Sequence, residues 1–300
     1  MRAKILMLSG SMKEKNLLRA PQQALNDIAV AFGHSFIMKD QQLDGEAAGW
    51  EAGEAQAVLA AASEEAILSF FDAQVRVSTL TLPQGLRDFS LLRIPQFPVI
   101  TLVSPLKPGL DHAGMAAKAA LKIAGDGEAM VWAVASDDNG LWDDAVSRAA
   151  SPYALSTPEA LPLANVISKP LQYPDRHHVF MADDAQGSLL ISLYRGLSGA
   201  GLAHSVYVSE NHKVHTAGGV PGYFPGLFDA LYATVALLGD SLALKKEAGC
   251  LQASVDNVLA SGWRARGMDI EGKTAGDDQI AALIGEQIDL AGSLMQRFPG

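Results

Sequence analysis

Apolar and polar positions along the chain alternate between two periods, and the switches between them predict a succession of strands and helices. The run KILML (Lys4–Leu8) reads as a buried strand, followed by a Gly-Ser turn. Next comes an amphipathic helix through LLRAPQQALNDIAVAFG, which Gly33 ends. HSFIM is a second strand, EAQAVLAAAS reads as helical, and EEAILSFFDA carries a further strand. FPVITLVSP is an apolar, β-branched run bracketed by prolines, as expected of a strand or of a crossover between domains. GMAAKAALKIAG is a helix closed by Gly125, and AMVWAVAS is a central strand. From Asp143 to Arg176 proline recurs and periodicity fades, so a loop with short elements is expected. HVFMA is a strand and SLLISLYRGLSGAGL a helix, and SVYVSENHKVHTAGGVPGYFPG reads as a strand running into a glycine-rich loop. Two long helices broken near Gly239–Asp240 follow, and a last helix covers DDQIAALIGEQIDLAGSLMQRF. Strands alternating with helices make this an α/β chain.

Composition narrows the class. The 300 residues are 49% hydrophobic and can bury a large core. A net charge of −10 with scattered basic residues argues against a nucleic-acid partner, which would require clustered cations. No apolar run approaches the ~20 residues that span a bilayer, so a soluble cytoplasmic protein is expected. The N-terminal apolar run is too short for a signal peptide. One cysteine, Cys250, excludes an internal disulfide and reads as a buried structural thiol.

Motifs carry little chemistry on their own. His177, His178, Asp183 and Asp184 include metal-ligating types. Adjacent histidines on a strand face opposite sides, however, so no metal is assigned there. His212 and His215 are expected in a loop, where function concentrates. GAGLAH (Gly199–His204) nearly matches a dinucleotide fingerprint, but it follows a helix and its third glycine is His204. No serine sits in a nucleophile elbow.

The second half of the chain resembles the metal-dependent β-decarboxylating dehydrogenases, the isocitrate and isopropylmalate dehydrogenase family. DDAQGSLLISLYRGLSGAGLAHS follows the rhythm of E-N-L-F-G-D-I-L-S-D and the G-L-x-x-S turn beyond it, keeping Gly187, Leu190, Gly199, Gly201 and Ser205. Downstream stand an L-x-L-x-K-E-A helix, an A-V-D-x-V-L-like helix, and Gly262, Arg264 and Asp269 in a G-x-R-T-x-D-like stretch. The resemblance implies a two-domain isopropylmalate dehydrogenase-like fold with an interdomain cleft. One domain would comprise 1–98 with 200–300, the other 99–199 with a shortened clasp region, and the chain would pair as a homodimer.

The same resemblance implies a degraded active site. The family's metal-binding aspartates fall on Ser188 and Ser192, whose hydroxyls are weak ligands for a hard cation. Its catalytic tyrosine falls on Trp142, and its helix lysine has only Lys169 as a substitute. The nucleotide loop corresponds to Asn211, His212, His215 and Gly218, through which NAD or NADP would bind. Arg87 or Arg93 would grip substrate carboxylates. The cleft candidates are therefore Trp142, Ser188, Ser192 and His204, with no metal. A catalytically degenerate homologue is expected, binding a small molecule in the cleft or an active dehydrogenase paralogue. The alternatives are an NAD(P)-dependent oxidoreductase acting on a 2-hydroxy acid with altered residues, and histidine chemistry using His204, His212 and His215.

Overall fold

A computed structural model describes residues 1–43, 54–83, 86, 99–125, 129–135, 141–150, 158, 160–198, 201–217, 225–268 and 270–297. The expected Arg87, Arg93 and Gly218, with Gly199 and Asp269 of the matched motifs, lie outside the described residues. β1 (Arg2–Ser9) is the apolar N-terminal run, and α1 (Met12–Leu17) and α2 (Arg19–Phe32) follow it. Ser11 caps α1 by accepting a hydrogen bond from the Glu14 amide at 3.3 Å. Gly33 ends α2 in the left-handed region, φ 70°, which a side chain would strain. β2 (Ser35–Gln42) is an edge strand with no fully buried residue.

Two readings of the next segment are corrected. Ala57–Ala61 is strand β3, not helix, and all five of its residues are buried. It lies between β1 and another parallel strand, β10 (Lys213–Ala217), so both of its faces are covered and small apolar residues fit. Glu64–Phe70 is helix α3, not strand. Ser63 accepts from the Ala66 amide at 3.2 Å, and Glu64 and Glu65 occupy the first turn, where the helix dipole favours them. A strand that the periodicity did not single out follows, β4 (Val75–Thr81).

The strand expected in FPVITLVSP is β5 (Val99–Pro105). α4 (Leu110–Gly125) and β6 (Met130–Val134) come next. The expected loop opens instead with a ten-residue helix, α5 (Leu141–Ala150). Short elements follow: β7 (Ala160–Leu161), α6 (Leu163–Val166) and α7 (Lys169–Gln172). β8 (His178–Met181), α8 (Asp184–Ser198) and β9 (Leu202–Val208) lead into β10. β10 occupies part of the stretch read as a glycine-rich loop. α9 (Leu227–Ala236) passes through a π-helical turn, Leu237–Ser241, before α10 (Lys245–Ala260), so the break near Gly239 is real. β11 (Trp263–Ala265) and β12 (Lys273–Ala275) pair by themselves, and α11 (Asp277–Arg297) is the last helix.

Among the described residues ten strands form one mixed, mostly parallel sheet in the order β2-β1-β3-β10-β9-β4-β5-β8-β6-β7. Antiparallel pairing is confined to its centre, at β10–β9, β9–β4 and β4–β5. Strands from 1–98 and 200–300 make the β2-to-β4 half, and strands from 99–199 make the rest. On one face, here called the upper face, α2, α9, α10 and α11 pack on Ile5, Met7 and Leu59. On the same face α4 and α5 pack on Val75, Val103 and Met181. On the lower face α3 covers Leu6, Val58 and Tyr207, and α8 covers Leu80, Leu102 and Phe180. Among the described residues no helix is long and apolar enough to cross a membrane.

Gly187 sets how closely α8 approaches β5. A Cβ there would meet the Leu102 side chain and the Ser104 Oγ, both at 2.7 Å. Gly187→Ala should therefore lower the unfolding free energy by about 1–3 kcal/mol through overpacking, read from the urea midpoint.

Candidate functional site

Successive residues of β4 and β9 point to opposite sheet faces, and this separates the polar side chains into two groups. Arg76 lies on the lower face with its side chain 2% exposed. Its Nη1 donates to Glu64 Oε2 of α3 at 2.7 Å. Its Nη2 donates to Asp184 Oδ1 of α8 at 2.5 Å and to Ser188 Oγ at 3.0 Å. The Tyr207 hydroxyl of β9 donates to the same Glu64 oxygen at 2.8 Å.

Burial works against the Arg76 charge, but Glu64 and then Asp184 outweigh it, so the guanidinium pKa is raised. Burial, reinforced by Glu64, also pushes the Tyr207 hydroxyl upward and keeps it protonated as a donor. Glu64 and Asp184 both sit in first helical turns, where the exposed amide ends favour negative charge. A charge this deep persists because it is paired and hydrogen-bonded. Sequence reasoning missed Arg76, Glu64 and Tyr207. The available signal was the lone arginine within the β-branched run VRVSTLT.

The upper face carries neutral groups instead. His204 pairs across the strands with Thr79, and Thr79 pairs with Thr101, forming one rung over β9, β4 and β5. The two threonine hydroxyls lie 3.4 Å apart, and Thr101 Oγ1 is 2.9 Å from His177 Nε2. His215 opposes Val206, two register pairs along from His204 and next to it on the same face, and its Nε2 is 2.7 Å from Ser241 Oγ. Burial depresses the pKa of His204 to about 4. Burial first, then His204 and Lys213, depresses His215 to about 3. Burial, then His178, depresses His177 to about 4.

The expected site residues do not meet at one place. Ser188 belongs to the lower face and His204 to the upper. Ser192 is exposed, and Trp142 is buried at 3% in the cluster under α4 and α5. His215, expected in a loop, lies inside β10 and is fully buried. Asn211 and His212 close the β9–β10 hairpin, where the His212 amide donates to Ser209 Oγ at 3.0 Å. His177 and His178 do face opposite sides, as their adjacency predicts: His178 Nδ1 accepts from Trp132 Nε1 at 3.1 Å. Asp183 accepts from the Gln186 amide at 2.8 Å at the start of α8. Lys169 places its Nζ 4.8 Å from the Trp132 ring centre. Cys250 is a buried free thiol. Among the described residues no group of three or more His, Cys, Asp or Glu could hold a metal.

No protein-family model matches the chain, and no curated protein sequence matches it. Its structure is similar to that of the TT0538 protein from Thermus thermophilus, with a TM-score of 0.71 and 16% identity. The match covers 96% of this chain and 68% of that one. At this identity the likeness shows a shared α/β fold.

Two outcomes follow from the two centres. Arg76→Ala leaves Glu64 and Asp184 facing each other without their cation, and should cost about 2–3 kcal/mol in urea unfolding, their partial exposure moderating the loss. On the upper face, the folded state resists protonation of His177, His204 and His215, whereas unfolded histidine titrates near 6.5. The stability these histidines contribute is complete above pH ~6.5 and drains as pH falls towards about 4 for His177 and His204, and about 3 for His215. Urea midpoints measured from pH 7 to pH 4 should fall less steeply in His204→Gln than in the wild type.

Proposed function

We propose that the chain is a divergent, two-domain isopropylmalate dehydrogenase-like protein that has lost metal-dependent oxidative decarboxylation. It acts as a ligand-binding or regulatory homologue, with an active dehydrogenase as the partner class. One observation carries this reading: the Arg76 guanidinium is hydrogen-bonded to Ser188, one of the positions where the family resemblance puts a metal-binding carboxylate. A hard divalent cation requires anionic oxygens there, and Ser188 and Ser192 supply neutral hydroxyls. A dication within about 4 Å of a guanidinium would also be opposed by several kcal/mol, even at the dielectric of a protein surface.

The residues present do not fit the family's metal, so no decarboxylation step is derived through one. Trp142 is buried in an apolar cluster, and its indole cannot serve as a proton acid near neutrality. Of the positions matched to the nucleotide loop, Asn211 and His212 close a hairpin and His215 fills a strand, so no hydride step is derived either.

The test is direct. Isocitrate or isopropylmalate, with NAD or NADP and Mg²⁺ or Mn²⁺, should give no reduced nicotinamide. The metals should leave the Tm unchanged, because a ligand that does not bind the folded state cannot stabilise it. Turnover of either acid would overturn the proposal and favour an oxidoreductase that uses altered residues.

A further inference from the structure

A cavity of about 330 Å³, open to solvent, lies in the groove between α4 and α5, the two helices that pack on Val75, Val103 and Met181. That volume admits a small organic molecule. Gly114 of α4 and Ala145 and Ala149 of α5 are its small lining residues, and a Cβ built on Gly114 would meet no atom within 4 Å. Glycine weakens a helix interior relative to alanine, and no neighbour crowds this one, so what position 114 supplies is room. Leu110 and Met115 add apolar wall, each half-buried against the cluster beneath.

Charge is divided along the groove. β5, β8, β6 and β7 are parallel neighbours, and α4 and α5 each return from the end of one strand to the start of a later one. The two helices therefore run side by side in the same direction. Asp111 lies in the first turn of α4, and Lys118 stands two turns further on, roughly 10 Å along the axis. Arg148 lies in the last turn of α5. One end of the groove thus carries the carboxylate, and the cations lie towards the other. Lys118 and Arg148 are exposed, and among the described residues neither has an ion-pair partner, in a chain whose net charge is −10.

We propose that this groove binds a small monocarboxylic acid with an apolar body. Lys118 and Arg148 receive the carboxylate, their long stems following the groove wall while the charged heads reach the anion. The apolar body lies over Gly114, Met115, Ala145 and Ala149 and leaves water as it does so. Asp111 sets the selection. A second carboxylate at the far end of the ligand would meet its negative charge, whereas an uncharged end would not. A neutral alcohol of the same length would fill the groove but gain no ion pair. The site is independent of the proposed loss of decarboxylation, since it uses no residue of the Arg76–Ser188 centre and lies on the opposite sheet face.

The experiment titrates the full chain with octanoate and 3-phenylpropionate below their aggregation limits, following Tm and the Met115 methyl resonance. Suberate and 1-octanol at equal concentrations are the contrasts. At least one monocarboxylate should give a saturable rise in Tm and move the Met115 methyl. Lys118→Gln and Arg148→Gln should each weaken half-saturation by about threefold to fivefold, the worth of an exposed ion pair. Gly114→Leu should abolish both responses while leaving the unliganded Tm unchanged or higher, because leucine fills open space and is the better helix former. Asp111→Asn should bring suberate up to the affinity of octanoate. If Gly114→Leu lowers the Tm instead, the two cation variants decide in its place. Absence of a saturable response to both monocarboxylates would overturn the proposal. So would binding undiminished in a folded Gly114→Leu or in both cation variants, or wild-type binding of suberate or 1-octanol as tight as that of octanoate.

Discussion

The strict two-residue period of the central strands is the constraint on which this molecule turns. β4 and β9 run antiparallel in the middle of an otherwise mostly parallel sheet, and helices lie on both sides of them. Each residue of these strands must therefore serve one face or the other. Arg76, Ser78, Ser205 and Tyr207 are sent downward, and Val77, Thr79, His204 and Val206 upward. No side-chain rotation can bring Ser188 and His204 into one pocket, because the sheet itself stands between them. The geometry yields two polar centres.

Those centres solve the problem of burying polarity in opposite ways. The lower one retains a full charge and surrounds it with two carboxylates, one of them also bound by a tyrosine, and a serine. Because Glu64 comes from α3 and Asp184 from α8, the ion network also ties two helices to the strand between them. The upper centre avoids charge, and burial holds its histidines neutral. Each centre keeps buried nitrogen without a hydrogen-bond partner among the described residues, Arg76 Nε in the lower one and the Nδ1 atoms of His204 and His215 in the upper.

Much of the chain order was legible from periodicity: β1, β5, β6, β8, the break at the π-helical turn and the last helix all follow their apolar patterns. The misread segment is instructive. Ala57–Ala61 is rich in alanine, a good helix former, yet a strand covered on both faces shows no alternation and accepts small residues readily. Glu64–Phe70 is too short to display a helical period clearly, and its helix is declared by the Ser63 cap and its acidic first turn. The resemblance singled out Ser188 as a missing carboxylate, but its partner was invisible. Arg76 lies 112 residues away in sequence, and only the sheet order brings the two together. His215 was misplaced because the segment's glycines outweighed the short alternation of KVHTA, whose odd positions pack upward.

The serine at position 188 and the arginine at position 76 make sense only together. Glu64 and Asp184 already bring two negative charges to one guanidinium. An aspartate at position 188 would set a third carboxylate beside them, and one at 192 would add a fourth a helical turn away. Like charges at that spacing repel, and a single buried cation cannot compensate them. A hydroxyl instead accepts a second hydrogen bond from Nη2 at 3.0 Å without adding charge. Under the proposed reading, loss of the metal carboxylates and acquisition of a fixed organic cation are two halves of one change: the cation became part of the chain, and its ligands were reduced in charge to suit it.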